Sequence, residues 1–510
     1  MSERPSIASI MSQGGRVAGS QREIRIIDTT LRDGHQSLWA TRMRTEHIAS
    51  MAADFDGAGF EHVDLVAPIQ FDVAVRYLKE DPWERVRIAH RLAPRTRFRA
   101  LIRSRNLAAF DFLPDDVITA WVERLYANGF RSIGSFDGLN DVDNIAGGLL
   151  RAKHLGAETF GAVSFCESPV HTDELFVSKA IELIEKADVD RIMLKDAGGL
   201  LTPERIRSLV PALKDVIGQR PLEVHTHSLT GLAPLVCLEA AEAGADSLHL
   251  SIAPLATGNA QPSVQNVVRD LRALGYVVNV RDDVVQGISE KIRAIAAAED
   301  KPLGVPIEYN GLHYMHQTPG GMLSNFRSQL ATAGLEQRYD ELLMEVARVR
   351  AELAYPIMIT PFAQFVGTQA VLNVVTGERY KVVPNEIKKY VLGYYGQLLG
   401  DIEAGLREKI LANGASDIPL EPTEPSPMLP TLHEHHPDES IDDHLLRAMF
   451  AGSQVDEMKA TVAAGGNPDE LPGNLLSIVK ELYDKLPAGT RSLAAGDLRI
   501  RIQRGDNHAA

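Results

Sequence analysis

From Asp190 to His227 the chain reads DRIMLKDAGGLLTPERIRSLVPALKDVIGQRPLEVHTH, and this stretch decides the fold. A short β-rich run (DRIMLK, 190–195) gives way to an amphipathic stretch over 202–218. It opens with Thr202 then Pro203, an N-cap followed by proline at the first helical position. A second β-rich run (LEVHTH, 222–227) follows at once, so the stretch is a strand, a helix and the next strand. The alternation extends outward in both directions. Further candidate strands are IRIID (24–28), HVDLVA (62–67), FRALIR (98–103), RSIGS (131–135), ETFGAVSF (158–165) and DSLHLS (246–251). Eight strand–helix pairs in about 250 residues predict an α/β fold of the TIM (β/α)8 barrel type, since an open doubly wound sheet rarely needs so many. No glycine-rich GxGxxG follows the first strand to support that alternative. In a barrel, catalytic groups are expected at the C-terminal ends of the strands.

The barrel is expected over 23–281, after a flexible leader at 1–22. Residues 282–412 carry helix-length patterns and read as a mainly α-helical domain that completes the active site. Six prolines and several acids between 413 and 440 argue for a linker or excursion, and 441–510 read as a helical extension ending in a strand-like LRIRIQRG. Of the 510 residues, 53 are basic and 68 acidic, a net charge of -15 that disfavours polyanions, so nucleic acid is a poor partner. Two cysteines, Cys166 and Cys237, cannot build a disulfide framework, which fits a reducing compartment. No apolar run approaches the ~20 residues that cross a bilayer. A cytoplasmic protein is expected.

Among local motifs VHTH is the strongest. His225 and His227 stand two apart on a strand, so both imidazoles point to one face, suited to a divalent ion of the zinc, cobalt or manganese group. The plain alternative is an ordinary polar pair at a strand end. In DTTLRDGHQS, Asp33 could bring an oxygen ligand to the same mouth, with Arg32 and Gln36 as donors nearby; the alternative is an Asp-Gly turn at Asp33-Gly34. Lys195 ends the sixth strand, where a partly buried amine loses pKa. A neutral amine can take up carbon dioxide to form a carbamate, an anionic oxygen ligand that would complete a sphere of Asp33, His225, His227 and Lys195. A salt-bridged lysine or a Schiff-base lysine are the other readings. Arg103 ends the third strand and could grip a carboxylate with its fork, or form an ion pair at the rim.

Taken in order, DTTLRDGHQSLWATRMRT, LIRSRN, MLKDAGGLLTP, VHTHSLTG, PGGMLSNFRSQL, ITPFAQFVGTQAVLNVVTGERY and KYVLGYYG resemble the biotin-dependent carboxyltransferases. These are the carboxyltransferase domain of pyruvate carboxylase, the oxaloacetate decarboxylase α subunit and the pyruvate-carboxylating subunit of transcarboxylase. The likeness runs from residue 24 to about residue 410. It implies that Asp33, His225, His227 and carboxylated Lys195 bind a metal that stabilises an enolate as a Lewis acid. It also implies that Arg103 and Gln36, with Arg32 beside them, hold a 2-keto acid of the pyruvate or oxaloacetate kind. Thr360 would carry a proton between biotin and the substrate methyl carbon; apart from the resemblance it is an ordinary residue before proline at a helix start. Phe362 and Ala363 depart from the family's small polar residue after the proline, which could mean a keto acid other than pyruvate or a different acceptor.

No Ala-Met-Lys-Met lies in a C-terminal β-rich segment, and Met458-Lys459 follows a helical pattern. Biotin is therefore expected on a separate biotin carboxyl carrier protein, charged by a separate biotin carboxylase subunit, and similar subunits pair as homodimers. The competing reading is a metal-dependent lyase or Claisen-type synthase similar to hydroxymethylglutaryl-CoA lyase or isopropylmalate synthase, which shares DTTLRDG, the His-x-His pair and a later Gly-Asn such as Gly258-Asn259. Lys195 in its LKDAGGLLTP setting and the long helical likeness stand against it.

Overall fold

Eight parallel strands close on themselves in chain order: β1 (Arg25–Asp28), β2 (His62–Val66), β3 (Phe98–Arg103), β4 (Ser132–Phe136), β5 (Glu158–Ser164), β6 (Arg191–Asp196), β7 (Leu222–Thr226) and β8 (Ser247–Leu250). The ring is sealed by β1 against β8, with Arg25 opposite Ser247 and Asp28 opposite Leu250. The structure, a computed structural model, describes residues 22–332, 334–412, 418–465, 489–495 and 498–504. Every strand falls within one residue of its sequence expectation. The expected leader lies outside the described residues except for Arg22, which donates to the Ala245 carbonyl at 3.1 Å. Parallel strands covered by helices are buried on both faces and need apolar side chains throughout, and β2, β4, β6 and β7 are buried along nearly their whole length.

The exceptions to apolarity lie low in the barrel and neutralise one another. Glu223 of β7 is wholly buried and takes two bonds of 3.0 Å on Oε2 from the Arg99 guanidinium of β3, while Arg191 Nε of β6 donates to Oε1. Arg191 also reaches Glu61 at 2.9 and 3.0 Å, and Arg99 lies over the Phe160 ring, 3.5 Å from its centroid. A carboxylate in this position is tolerable only because it is paired and hydrogen-bonded.

After the barrel the helix Asp282–Ala298 returns along its side, with Lys291 paired to Asp54 at 2.6 Å. The chain then crosses the C-terminal rim: Gly304 N donates to the Pro254 carbonyl (2.9 Å) and Asn310 N to that of Thr230 (3.3 Å). The helices Tyr339–Glu352, Phe362–Thr376 and Asn385–Leu392 share a core of their own around Val346, Val366 and Tyr390. They dock on the loops that follow β3, β4 and β5. Lys389 meets Asp111 (2.7 Å), Asn144 donates to the Tyr395 carbonyl (3.2 Å), and the Arg350 guanidinium donates to the Glu167 carbonyl (3.2 Å). A helical layer therefore sits on the end of the barrel where catalytic groups belong.

Within the proline-rich stretch, a short helix (Leu429–His435) begins with Pro430 in its first turn, and its N-terminus is held by Asp116, which accepts from Met428 N and Leu429 N at 3.0 and 2.8 Å. Proline is compatible with a helix's first turn, so the excursion lies against the barrel rather than running free over that span. Lys459, in the helix Gly452–Ala463, pairs with Glu439 (3.0 Å) and Asp443 (3.1 Å). The strand-like C-terminus forms Leu498–Arg504, paired antiparallel with Gly489–Ala495, a partner not evident from the sequence.

Removing one partner of a buried ionic cluster strands the others. Arg99→Met is expected to destabilise the barrel by about 3–5 kcal/mol, read as a lowered urea midpoint of the barrel's unfolding transition.

Candidate active site

Asp33 reaches the barrel mouth because the chain leaving β1 winds into one wide helical turn, Thr30–Gly34, before the short helix His35–Leu38. Asp28, buried at the end of β1, accepts from Thr30 N (2.9 Å) and Thr30 Oγ1 (2.8 Å) and holds that turn. Asp33-Gly34 is thus not a hairpin-type turn. Gly34 is needed because a Cβ there would lie 2.6 Å from Ser251 Oγ and 2.8 Å from the Leu255 carbonyl, in the loop after β8. The Arg32 guanidinium grips Asp64 at 3.1 and 3.2 Å and touches Asp33 Oδ2 at 3.2 Å, so it pins the carboxylate.

Around that carboxylate three donor atoms converge. Asp33 Oδ2 lies 3.3 Å from His225 Nε2 and 3.3 Å from His227 Nε2. Bonds of about 2.0–2.1 Å to a tetrahedral ion place neighbouring donors roughly 3.4 Å apart, so the trio has the spacing that zinc-like ions take. The lone pairs do face one point: a single nitrogen, Gln261 Nε2, lies 2.9 Å from Asp33 Oδ2, 2.8 Å from His227 Nε2 and 3.3 Å from His225 Nε2. The Thr29 hydroxyl donates to Gln261 Oε1 at 3.0 Å, which turns the amide's N–H side toward the three acceptors. His227 Nδ1 donates to the Asn259 carbonyl at 2.6 Å, leaving Nε2 bare for an ion. A second Asp/Glu/His trio, Glu46, His47 and Glu299, already has its charge taken up by Arg44 and Lys301, 2.6 and 3.1 Å from Glu299.

Lys195 Nζ lies 3.3 Å from His225 Nε2 and 5.4 Å from the centroid of the Phe136 ring. Burial pushes its pKa down to about 8, against the pull of Asp33. Burial alone would raise Asp33, but Arg32, with the two histidines, holds it well below the usual carboxylate range. Burial, helped by the Lys195 cation, keeps His225 neutral, its pKa well below 6.5. An anionic oxygen beside two neutral imidazoles is a set of donors for a divalent cation.

Arg103, at the end of β3, donates to the Ala109 carbonyl, and its Nε is buried with no partner among the described residues. Burial brings its pKa down to about 10, with Asp72 opposing, so it stays cationic at neutral pH. The Gln36 carbonyl oxygen accepts from Gln70 Nε2 at 3.4 Å, which leaves its own N–H groups available. Thr360 is half-buried and takes a bond from Gln364 Nε2 on its hydroxyl oxygen (3.1 Å). Its neighbours Ile359 and Phe362 pack over Gly138 in the loop after β4. The Phe362 ring is buried beside Tyr390 and Tyr395, at 5.6 and 6.1 Å between centroids. The structure therefore gathers Asp33, His225, His227 and Lys195 at one point and lays the Thr360 loop on the same barrel face. Gln261 is the residue that the sequence reading missed. Only its place after β8 pointed there, and the loop's fold, with Ser228 N bonded to the Ala260 carbonyl at 2.9 Å, is not encoded in spacing.

Comparison with known proteins bears directly on this geometry. Residues 314–475 match the model for a conserved carboxylase domain, and residues 142–292 match the HMGL-like model. A pyruvate carboxylase subunit from Methanocaldococcus jannaschii is 40% identical over 408 residues, covering 79% of this chain and 70% of that protein. This chain belongs to the biotin-dependent carboxyltransferase family. The methylmalonyl-CoA carboxyltransferase 5S subunit of Propionibacterium freudenreichii is 37% identical over 74% of each chain. The 2-oxoglutarate carboxylase large subunit of Hydrogenobacter thermophilus is 35% identical over 78% of this chain and 61% of that one. A variant of the carboxyl transferase domain of Rhizobium etli pyruvate carboxylase, solved with pyruvate, superposes with a TM-score of 0.81 at 25% identity over 94% of this chain and 84% of that one. The carboxyltransferase thus has the barrel and helical layer of its family. The HMGL-like match lies in the barrel segment that lyases share, whereas the conserved carboxylase match lies in the helical part, and this separates the two enzyme readings.

The chelator-treated full-length carboxyltransferase is expected to bind about one zinc ion per chain. Asp33→Ala or His227→Ala should weaken binding by more than the roughly 10–100-fold that an outer partner costs, as measured by competition with a chromophoric chelator. Glu299→Ala should leave the stoichiometry unchanged.

Proposed function

We propose that this carboxyltransferase moves a carboxylate between carboxybiotin on a separate carrier protein and the methyl carbon of a pyruvate- or oxaloacetate-like 2-keto acid. The observation that carries the reading is the convergence of Asp33, His225 and His227 beside Lys195, under a loop that presents Thr360. Asp33, His225, His227 and carboxylated Lys195 would hold one zinc, cobalt or manganese ion, which when bound supplies a Lewis acid for the substrate's keto oxygen.

The remaining chemistry falls to the chain's own groups. Arg103 offers a desolvated guanidinium with an unpartnered Nε, a geometry that suits the keto acid's carboxylate. Gln36, steadied by Gln70, offers amide hydrogens beside it. Arg32 is committed to Asp64 and Asp33, and its part is to hold the carboxylate ligand in place while adding positive field near the substrate. With its oxygen already accepting from Gln364, Thr360 keeps its hydroxyl proton free to pass between biotin and the methyl carbon. The helical layer over the barrel mouth excludes water, which protects an enolate from premature protonation. Phe362 is buried in an aromatic cluster with Tyr390 and Tyr395.

Relatives that are themselves subunits of larger enzymes support action together with further subunits. The partners proposed are a biotin carboxyl carrier protein and a biotin carboxylase subunit, acting with a homodimer of this chain in the cytoplasm. Among the described residues no helix is long and apolar enough to cross a membrane.

Two measurements test the reading. Carbamate forms only on the neutral amine, whose fraction rises with pH. At constant dissolved carbon dioxide, 13C-carbamate at Lys195, seen by NMR, should increase as pH rises through about 8 and vanish in Lys195→Ala. Oxaloacetate decarboxylation should require biotin or a biotinylated carrier. Thr360→Ala should lower it by about 10²–10⁴-fold, the range of a lost proton-transfer group, with metal content unchanged. Full turnover without biotin would refute the assignment.

A further inference from the structure

Behind the candidate metal ligands lies a polar chain that the reaction scheme does not use. His225 and His249 are neighbours on β7 and β8, one step along from the paired Val224 and Leu248. Their Nδ1 atoms are 3.2 Å apart, and the rings lie 5.1 Å apart at a steep angle of 72°. His249 Nε2 lies 3.0 Å from Glu223 Oε2. All three side chains are at 0% exposure, so no water competes. Glu223 is held as an anion by three hydrogen bonds from the Arg99 and Arg191 guanidiniums.

With His249 neutral, the form that a fully buried site favours, these contacts have one consistent proton arrangement. Ionised Glu223 can only accept, so His249 carries its proton on Nε2 and offers a lone pair at Nδ1. That lone pair needs a donor, and the facing atom is His225 Nδ1. His225 must therefore be protonated on Nδ1, which leaves Nε2 bare. The other end agrees: two N–H bearing atoms, Lys195 Nζ and Gln261 Nε2, each lie 3.3 Å from His225 Nε2.

We infer that His249 is a positioning residue, which with Glu223 fixes the tautomer and ring orientation of His225 so that Nε2 is presented to the metal. The inference rests on the reading of His225 as a ligand. His227 is fixed differently, by a backbone carbonyl, so the two imidazoles have independent supports. A chain of this kind raises the basicity of the ligand nitrogen and removes the freedom to flip. It also explains why a carboxylate with two arginines is built into the barrel directly beneath the site.

The test uses the full-length, chelator-treated protein with zinc as the probe. In 15N-histidine-labelled wild type, the long-range 1H–15N pattern of His225 should be that of a single tautomer with the proton on Nδ1. A proton on Nε2, or a mixture, overturns the inference without any variant at this position. His249→Leu, of similar bulk but without polar atoms, should weaken zinc binding by about 10–100-fold and give a mixed His225 tautomer. His249→Gln can accept from His225 and donate to Glu223, and should restore most of both. Zinc affinity within about twofold of wild type in His249→Leu, while His225→Ala loses binding, overturns the positioning role and leaves the ligand reading intact. Wild-type affinity in His225→Ala overturns the ligand reading itself. If His249→Leu fails to fold, loss of affinity in a folded His249→Gln with an unchanged tautomer also counts against the inference.

Discussion

Two imidazole lone pairs, each 3.3 Å from one buried carboxylate oxygen, repel it and one another unless something positive lies between them, and this constraint organises the molecule around it. Asp33, His225 and His227 meet it with a polarised amide nitrogen from Gln261, the Lys195 ammonium at 3.3 Å from His225 and the Arg32 guanidinium at 3.2 Å from Asp33. Each neighbour acts electrostatically on the others. Arg32 keeps the carboxylate ionised, burial keeps His225 neutral, and the same burial draws the Lys195 amine toward the free base. Desolvation drives the last two effects and opposes the first, where Arg32 and the histidines outweigh it.

The supports of the site run both ways along the barrel axis. Below, the ion cluster of Glu223 with Arg99 and Arg191 fixes the floor, and its one remaining partner, His249, reaches up to His225. Above, the helical layer attaches to the loops after β3, β4 and β5, which places the Thr360 loop over Gly138. Because loops vary and strands do not, chemistry on this fold is set by what the rim carries. Here the candidate ligands stand on strand ends and on one wide helical turn, while Thr360 and its partner Gln364 arrive from the helical layer. On the proposed reading the rigid part holds charge in place and the added layer supplies the hydroxyl that would exchange a proton.

How much of this was legible follows the range of each interaction. The eight strands read correctly because their signal is local: a buried parallel strand is apolar, and the helix between two strands repeats every 3.6 residues. His225 and His227 read correctly for the same reason, since a period of two puts both on one face. Asp33-Gly34 looked like a turn but is part of a helical one, because the close approach of Ser251 and Leu255, more than 200 residues away in sequence, decides what glycine is for. Phe362 stood out in the sequence as a departure beside Thr360; in the fold its ring packs against Tyr390 and Tyr395.

The order of strands and the run of helices after them were legible in the amino-acid sequence alone, as was the choice of Asp33, His225, His227 and Lys195 as candidates, because periodicity and side-chain chemistry are properties of neighbours. Which of those residues share a point in space was decided by closure of the barrel. It brings β1 beside β8 and so sets Gln261 against Asp33, while the register of β7 on β8 stands His249 beside His225. The docking of the helical layer then set the Thr360 loop over Gly138, at the same end of the barrel. Contacts between distant segments depend on strand register and loop path, and neither leaves a local mark in the chain.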